Sequence, residues 1–377
     1  MRYSKRKLRE LSTVKEVKVS SLSDYIKLFS DGRFANCIFR GEPTNYHETV
    51  SSALREYRSG FENSKVEYPF IKMKNDFKRE VWHKLSQDER TNFLAFAQHH
   101  GIPTNLIDFT TSPLVALYFS CQPYQNREDE NFNESKSFIY ILQNKIIDIT
   151  DIIAQNEDAN ILELFIQNKR SLLINFYECF CRYEKEYPLD FYKKFKLLNK
   201  DWHYYFGKAR LQSPFKSKFP AYNGGDYKKE ILLSYDALIT DENKSILKEI
   251  EEKYEETSFE VLFYTLYLQK FLTQIKKEHA EPVWWIDCMP NFMYSPILSF
   301  ERGRNQQGLF IYQTYLSFKE SVYNTPILSQ QRTWADTIIV VENKDEILKE
   351  LDFMGINKKF IYGDYDNIAS YIKQRYQ

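Results

Sequence analysis

The spacing of apolar residues divides the chain into segments of two kinds. Short runs rich in β-branched and aromatic residues, such as 137–142 and 337–341, are typical of buried strands. Longer segments with apolar residues three or four positions apart, such as 161–180 and 245–275, predict helices. Strand patterns are found before residue 144 and return after residue 280, so the sequence predicts an α+β protein in which a mostly helical block interrupts a β-containing core.

This pattern divides the chain into a basic N-terminal segment (1–19), a first part of the core (20–143), a helical insertion (144–280) and a second part of the core (281–377). In the core we predict helices at 20–29, 48–58, 68–85, 93–100, 344–353 and from Asp366 onward, and further strands at 37–41, 106–109, 284–286, 297–300 and 309–312. Residues 214–226 of the insertion, which include Asn223-Gly224-Gly225, predict an exposed connection.

One strand, turn and helix start stands out at residues 102–121. Ile102 to Asn105 form a turn, Leu106 to Phe109 a short strand, and Ser112 and Pro113 have the residue types preferred at the N-cap and the first position of a helix. Such a helix start directs free backbone N–H groups toward the turn. An ordinary helix start and an anion-binding site both fit this spacing.

Charge and composition restrict the classes of partner. The 52 Lys and Arg residues balance 52 Asp and Glu residues, so the net charge is zero. Because non-specific nucleic-acid binding relies on a strongly basic surface, we expect no extended nucleic-acid surface. No run approaches the roughly 20 apolar residues of a membrane span, and the basic N-terminus lacks the apolar region of a secretory signal, so we expect no membrane association.

Five cysteines also bear on the compartment. They form no pair of doublets with metal-ligand spacing, and their odd number does not suit a disulfide framework. A reducing, cytoplasmic location fits best, and we expect no metal.

Three ordered motifs resemble the FRG domain family. They are Phe39-Arg40-Gly41; the long segment from Ala97-Gln98-His99-His100-Gly101-Ile102-Pro103-Thr104 through Leu106-Ile107-Asp108-Phe109-Thr110-Thr111-Ser112-Pro113 to Phe119; and Arg304-Asn305-Gln306-Gln307-Gly308-Leu309-Phe310. The chain departs from the family pattern at Asn105 and Phe109, where the family usually has Arg and Trp. The family is typically met in bacterial and phage genomes, so the resemblance implies a bacterial or phage-associated effector, in a toxin or antiphage defence system.

A looser resemblance links the chain to the ADP-ribosyltransferase superfamily. It implies a split, mixed or antiparallel β core with flanking helices, and NAD as the substrate. By position, Arg40 matches the residue that holds the dinucleotide, and Thr110, Thr111 and Ser112 match the motif that orients the nicotinamide ribose. Gln307 or Gln306 stands where that superfamily has an acidic residue. Because a neutral amide cannot act as a carboxylate does, either Glu301 supplies the charge or there is no such catalysis.

These motifs define the candidate residues, and their structural alternatives stay open. Arg40 is exposed to solvent, binds a ligand anion or forms a buried ion pair with Asp108. We expect Asp108 to be buried; it either acts itself or, as we favour, orients Arg40 or His99. His99 either faces the ligand or braces the turn at Pro103 and Thr104. The candidate catalytic residues are Arg40, His99, Asp108, Gln307 and Glu301, and the candidate nucleotide-binding residues are Arg40, Gly41, Thr104, Thr110, Thr111, Ser112 and Gln306.

Two functions from different classes follow from these residues. The first is an enzyme that transfers ADP-ribose from NAD or cleaves NAD. The second is a binding module whose cleft recognises a nucleotide, an RNA end or a peptide without chemistry, while the helical insertion recruits a protein partner. Measurable turnover of NAD separates the two.

Overall fold

A computed structural model describes residues 14–44, 49–55, 69–124, 136–143, 145–156, 159–167, 169–206, 241–253, 258–278, 288–298, 300–318, 327–331 and 333–376. Its strands are β1 (Lys15–Val19), β2 (Ile38–Glu42), β3 (Leu106–Thr110), β4 (Ser137–Leu142), β5 (Ile146–Asp148), β6 (Asn291–Tyr294), β7 (Gly308–Tyr312), β8 (Tyr315–Phe318), β9 (Ile327–Gln330) and β10 (Thr337–Val341). Strands and helices thus both contribute, and the predicted α+β class is confirmed.

The helices fall before, within and after the block at 144–280. They are α1 (Leu22–Lys27), α2 (Phe70–Val81), a 3-10 turn (Trp82–Lys84), α3 (Gln87–Thr91), α4 (Phe93–His99), α5 (Pro113–Ser120), α6 (Thr150–Asn156), α7 (Ile161–Ile166), α8 (Arg170–Glu186), α9 (Pro188–Phe206), α10 (Asp241–Lys253), α11 (Phe259–Glu278), α12 (Glu301–Asn305), α13 (Lys344–Phe353), α14 (Lys358–Tyr362) and α15 (Tyr365–Gln374). None of these described helices is long and apolar enough to cross a membrane.

One mixed sheet organises the described residues. Its eight strands run in the order β1-β10-β4-β2-β3-β7-β6-β5, while β8 and β9 form a separate pair. The β1–β10 and β5–β6 pairs are parallel, and the other neighbours are antiparallel. Residues 15–19, which we grouped with the basic N-terminal segment, therefore form an edge strand, and β5 of the helical block joins the same sheet.

The sheet opens between β2 and β3. β2 pairs with β4 along all five of its residues, from Ile38 to Glu42. Its pairing with β3 is limited to one position, where Phe39 lies opposite Thr110. The two strands diverge beyond this point, and this divergence places the candidate site.

Two hydrophobic layers lie side by side on the face of the sheet that Phe39 and Leu106 share. Around Phe39 the layer includes apolar residues of α1, α5 and α13. Around Leu106 it includes Phe310 and Tyr312 of β7 and most of the buried residues of α6 to α11. The helical block thus packs directly on the sheet, and its burial of apolar surface stabilises the β core.

Helix α5 begins as its sequence predicts and packs closely on β2. Ser112 is the N-cap, its hydroxyl accepts a hydrogen bond from the Val115 backbone N–H, and Pro113 is the first helical residue. The helix lies so close to β2 that a Cβ on Gly41 would stand 1.8 Å from the Ala116 carbonyl oxygen. Gly41 is therefore required for this packing.

Several local predictions differ from the structure. Residues 297, 298 and 300 are not a strand; the strand in this region is β6, which ends at Tyr294. The polar run at 301–308 that follows begins with the short helix α12. The predicted connection at 214–226, the strand at 284–286, residues 1–13 and part of the helix predicted at 48–58 lie outside the described residues.

Candidate functional site

A cleft of about 310 Å³ lies where β2 and β3 diverge. Its floor comes from β2, β3 and β7, and its walls come from α4, α5 and the segment that contains α12. This volume is at the lower end of the range for small-molecule sites, about 300–1,000 Å³. The lining residues are Phe39, Arg40, Gly41, Gln98, His99, Asp108, Phe109, Thr110, Val115, Phe119, Leu298, Phe300, Arg302, Gly303, Gln306, Gly308, Leu309 and Phe310.

Arg40 is held by Glu42 and by the backbone of β3. Its Nε donates to Glu42 Oε1 at 2.8 Å, and its Nη1 donates to the backbone carbonyl of Asp108 at 2.8 Å. Of the alternatives left open for Arg40, the ion pair with the Asp108 carboxylate is therefore wrong. Side chains alternate along a strand, so Arg40 and Glu42 share the face of the sheet opposite to Gly41. Because Phe39 pairs with Thr110, the Asp108 side chain lies on the same face as Gly41, and therefore on the face opposite to the Arg40 side chain. The Glu42 side chain is only 3% exposed, so this pair anchors the guanidinium across the gap between the strands.

Asp108 is exposed to the cleft, and the expectation that it is buried is wrong. The Gln98 side-chain amide donates to both of its carboxylate oxygens, at 3.2 and 3.3 Å. The apolar neighbours Ile107 and Phe109 point to the other face and are buried there. An apolar strand therefore presents a carboxylate on the side where the covering helices leave a gap.

Thr104 sets the orientation of Gln98. The buried Thr104 hydroxyl accepts from the Leu106 backbone N–H at 3.2 Å, so its own proton points to Gln98 Oε1, 2.5 Å away. With its oxygen occupied in this way, the Gln98 amide presents its NH₂ group to Asp108. Thr104 does not line the cleft but supports a residue that does.

His99 forms an aromatic wall with Phe300. The two ring centroids are 3.9 Å apart and the planes are inclined by 19°. Burial lowers the pKa of His99 to about 4, and the positive charges of His100 and Arg302 act in the same direction. The ring is therefore neutral at pH 7. It does not brace the turn at Pro103 and Thr104, because Gln98 takes that contact with Thr104.

The two threonines at the end of β3, Thr110 and Thr111, bind the turn that precedes β7. Thr110 Oγ1 donates to the Gln306 carbonyl at 2.6 Å, and the Thr111 backbone N–H donates to the Gln307 carbonyl at 3.2 Å. Thr110 and Gln306 line the cleft, whereas Thr111, Ser112 and Gln307 are not among its lining residues. The structure thus brings Arg40, Thr110 and Gln306 together in the cleft, but not the other three candidates of these two segments.

Glu301 also lies outside the cleft. It is an exposed residue at the start of α12 and approaches Gly363, beyond α14. Of the described residues that line the cleft, only Asp108 has a carboxylate.

Gln98, Phe300 and Arg302 line the cleft but were not among our candidate residues. Gln98 directly precedes His99 in the FRG motif. Its polar side-chain amide, within that motif, is the signal that could have identified Gln98 as a cleft residue. Arg302 lies in the polar run at 301–308, and its guanidinium is 4.9 Å from the centre of the Tyr362 ring. Phe300 and Arg302 flank the candidate Glu301, and this adjacency is the signal that could have identified them.

The described residues contain no group of three His, Cys, Asp or Glu side chains placed to hold a metal ion. All five cysteines are free thiols.

Comparison with known proteins identifies one family. The family model of the FRG domain matches residues 35–130, so the chain contains an FRG domain. The matched segment supplies β2, α4, β3 and α5, and with them Arg40, Gln98, His99 and Asp108. The opposite wall, with Phe300, Arg302 and Gln306, comes from outside the match. Searches of curated proteins and of solved structures gave no significant match.

Proposed function

We propose that the cleft binds a nucleotide of the NAD type and that the protein cleaves its nicotinamide–ribose bond or transfers the ADP-ribose. One observation supports this most: an exposed carboxylate, that of Asp108, is fixed by Gln98 in the same hollow as a neutral imidazole stacked on Phe300. Flat aromatic faces suit a nicotinamide ring, and a fixed carboxylate suits the positive charge that develops on the ribose.

The chemistry needs no group beyond substrate and water. The bond between ribose C1′ and the pyridinium nitrogen breaks, and nicotinamide leaves as a neutral molecule with the bonding electron pair. C1′ gains oxocarbenium character, which the Asp108 carboxylate stabilises. The oxygen of water, or a nucleophile of an acceptor, then bonds to C1′ and loses its proton to Asp108 or to solvent.

Asp108 takes the role that we first considered for Gln307 and Glu301. Both of those side chains are outside the cleft lining, whereas Asp108 stands on its floor. An ADP-ribosyltransferase-like core is part of this proposal, and the opening of the sheet between β2 and β3 supports it.

The test is incubation of the full chain with NAD, followed by chromatography of the nucleotides and measurement of protein mass. We expect free nicotinamide together with ADP-ribose, or an ADP-ribosylated protein. Asp108→Asn should lower the rate by about 100-fold or more, as for loss of a catalytic carboxylate. Asp151→Asn is the matched control, because Asp151 is an exposed aspartate on α6, away from the cleft. Absence of product with the unaltered chain, or full activity of Asp108→Asn, would contradict the proposal.

A non-catalytic binding module is the second candidate. It is favoured by the engagement of Arg40 with Glu42 and of the Asp108 carboxylate with Gln98, since both groups already have partners within the protein. In this case titration with NAD shows saturable binding and no product over hours, and the helical block at 144–280 serves to recruit a protein partner.

A role as a bacterial or phage-associated effector in toxin or antiphage defence would follow from NAD cleavage. Expression of the unaltered chain in bacteria should then arrest growth and deplete cellular NAD, while Asp108→Asn expressed to the same level does neither.

A further inference from the structure

Two arginines, Arg40 and Arg302, are among the described residues that line the cleft. Their guanidinium groups have different partners. The Arg40 guanidinium is 2.8 Å from the buried carboxylate of Glu42 and also donates to the Asp108 carbonyl. A ligand anion at Arg40 would have to compete with both contacts. Arg40 therefore serves chiefly to hold β2 and β3 together.

Arg302 is placed differently. It lines the cleft from α12, and its guanidinium packs over the ring of Tyr362 at 4.9 Å. Among the described residues, no carboxylate comes within ion-pair distance of it. Its charge adds to two pKa shifts that have larger causes: burial lowers the pKa of His99, and hydrogen bonds from Asn367 lower the pKa of Asp364.

We propose that Arg302, and not Arg40, binds the phosphate group of the nucleotide. This inference rests on the proposed function and names the anion-binding residue of the same cleft. A guanidinium that lies on an aromatic ring is held in place while its N–H groups remain available for phosphate oxygens.

The positions of the neighbouring groups support this orientation. Phe300 is two residues before Arg302 and forms the aromatic wall with His99, so a flat ring on that wall would place the attached phosphate near α12. The Asp108 carboxylate on the floor repels a phosphate and favours the same placement. A phosphate would thus lie at the α12 side of the cleft and the ribose nearer to Asp108.

The test uses two ligands that differ by one phosphate: nicotinamide mononucleotide and nicotinamide riboside. Calorimetric titration of the full chain with each ligand is compared with that of Arg302→Gln. We expect Arg302→Gln to bind the mononucleotide about tenfold to a hundredfold more weakly, as for loss of hydrogen bonds to a charged group, and to bind the riboside almost unchanged. Arg304→Gln is the matched control, since Arg304 is on the same short helix but is exposed and outside the cleft.

The outcomes separate the two proposals. Failure of the unaltered chain to bind either ligand overturns the nucleotide cleft itself and this inference with it. Binding of the mononucleotide that is unaffected by Arg302→Gln, or a loss equal for both ligands, overturns only the assignment of Arg302. If Arg302→Gln lowers the melting temperature markedly, Arg302→Lys is the second variant, because it keeps the charge and loses the paired N–H groups. An intermediate loss of affinity for the mononucleotide alone then supports the assignment. If Arg302→Lys binds both ligands as the unaltered chain does, the assignment is overturned.

Discussion

Gly41→Ala should unfold or displace helix α5, because β2 has no room for a side chain at this position. The added Cβ would lie 1.8 Å from the Ala116 carbonyl oxygen and 2.7 Å from the Ser120 nitrogen. Close carbon–oxygen contacts in proteins are about 3.3 Å, so the helix would have to move by roughly 1.5 Å. Both obstructing atoms belong to the backbone of α5, and rotation of a side chain cannot relieve the clash.

The energy follows from this displacement. A gap of about 0.5–1 Å already removes a quarter to a half of the attraction across an interface, and overpacking of a core costs about 1–3 kcal/mol. Because the whole of α5 would separate from the sheet, we expect Gly41→Ala to lower the free energy of unfolding by about 3 kcal/mol or more. The cleft should be lost as well, since Val115 and Phe119 of α5 line it.

Urea denaturation followed by circular dichroism measures the change. Gly308→Ala is the matched control, because Gly308 is also a strand residue at the cleft but its added Cβ would meet nothing closer than 3.6 Å. That variant should stay within about 1 kcal/mol of the unaltered chain. A midpoint for Gly41→Ala equal to that of Gly308→Ala would refute the close packing of α5 on β2.

Three further predictions concern the residues around the cleft. Thr104→Val removes the hydroxyl that holds Gln98, and should cost about 1–3 kcal/mol in urea denaturation, whereas Thr104→Ser should cost much less. The pKa of His99 is about 4, against 6.5 for an ordinary histidine. As the pH falls from 6.5 to 4, the histidine of the unfolded chain therefore binds a proton before that of the folded chain does, and the free energy of unfolding decreases over this range. For this half-buried ring we expect about 1–2 kcal/mol, and His99→Phe should flatten the pH dependence of the unfolding free energy in that window. Arg40→Ala removes the guanidinium from the buried carboxylate of Glu42 and from the Asp108 carbonyl of β3, and should cost about 3 kcal/mol; a cost below about 1 kcal/mol would show that the guanidinium does not hold β2 to β3.

Local features of the fold were determined by the sequence alone. The strands at 137–142 and 337–341 and the start of α5 at Ser112 and Pro113 lie where their patterns predict them. These features depend on residues close together in the chain: runs of β-branched residues, an N-cap hydroxyl and a proline at the first helical position. The FRG motifs likewise contain Arg40, His99 and Asp108, and all three line one cleft.

The tertiary structure decided which groups meet within that site. Whether Asp108 is buried, and whether Arg40 pairs with it or with Glu42, depends on the face to which each strand residue points and on what covers that face. The register of β2 against β3 and the packing of α5 on Gly41 determine the exposure of Asp108 and the partner of Arg40. These are contacts between residues about 70 positions apart. Gln98 and Arg302 became cleft residues for the same reason, since a side chain acquires its partners only when distant segments pack together.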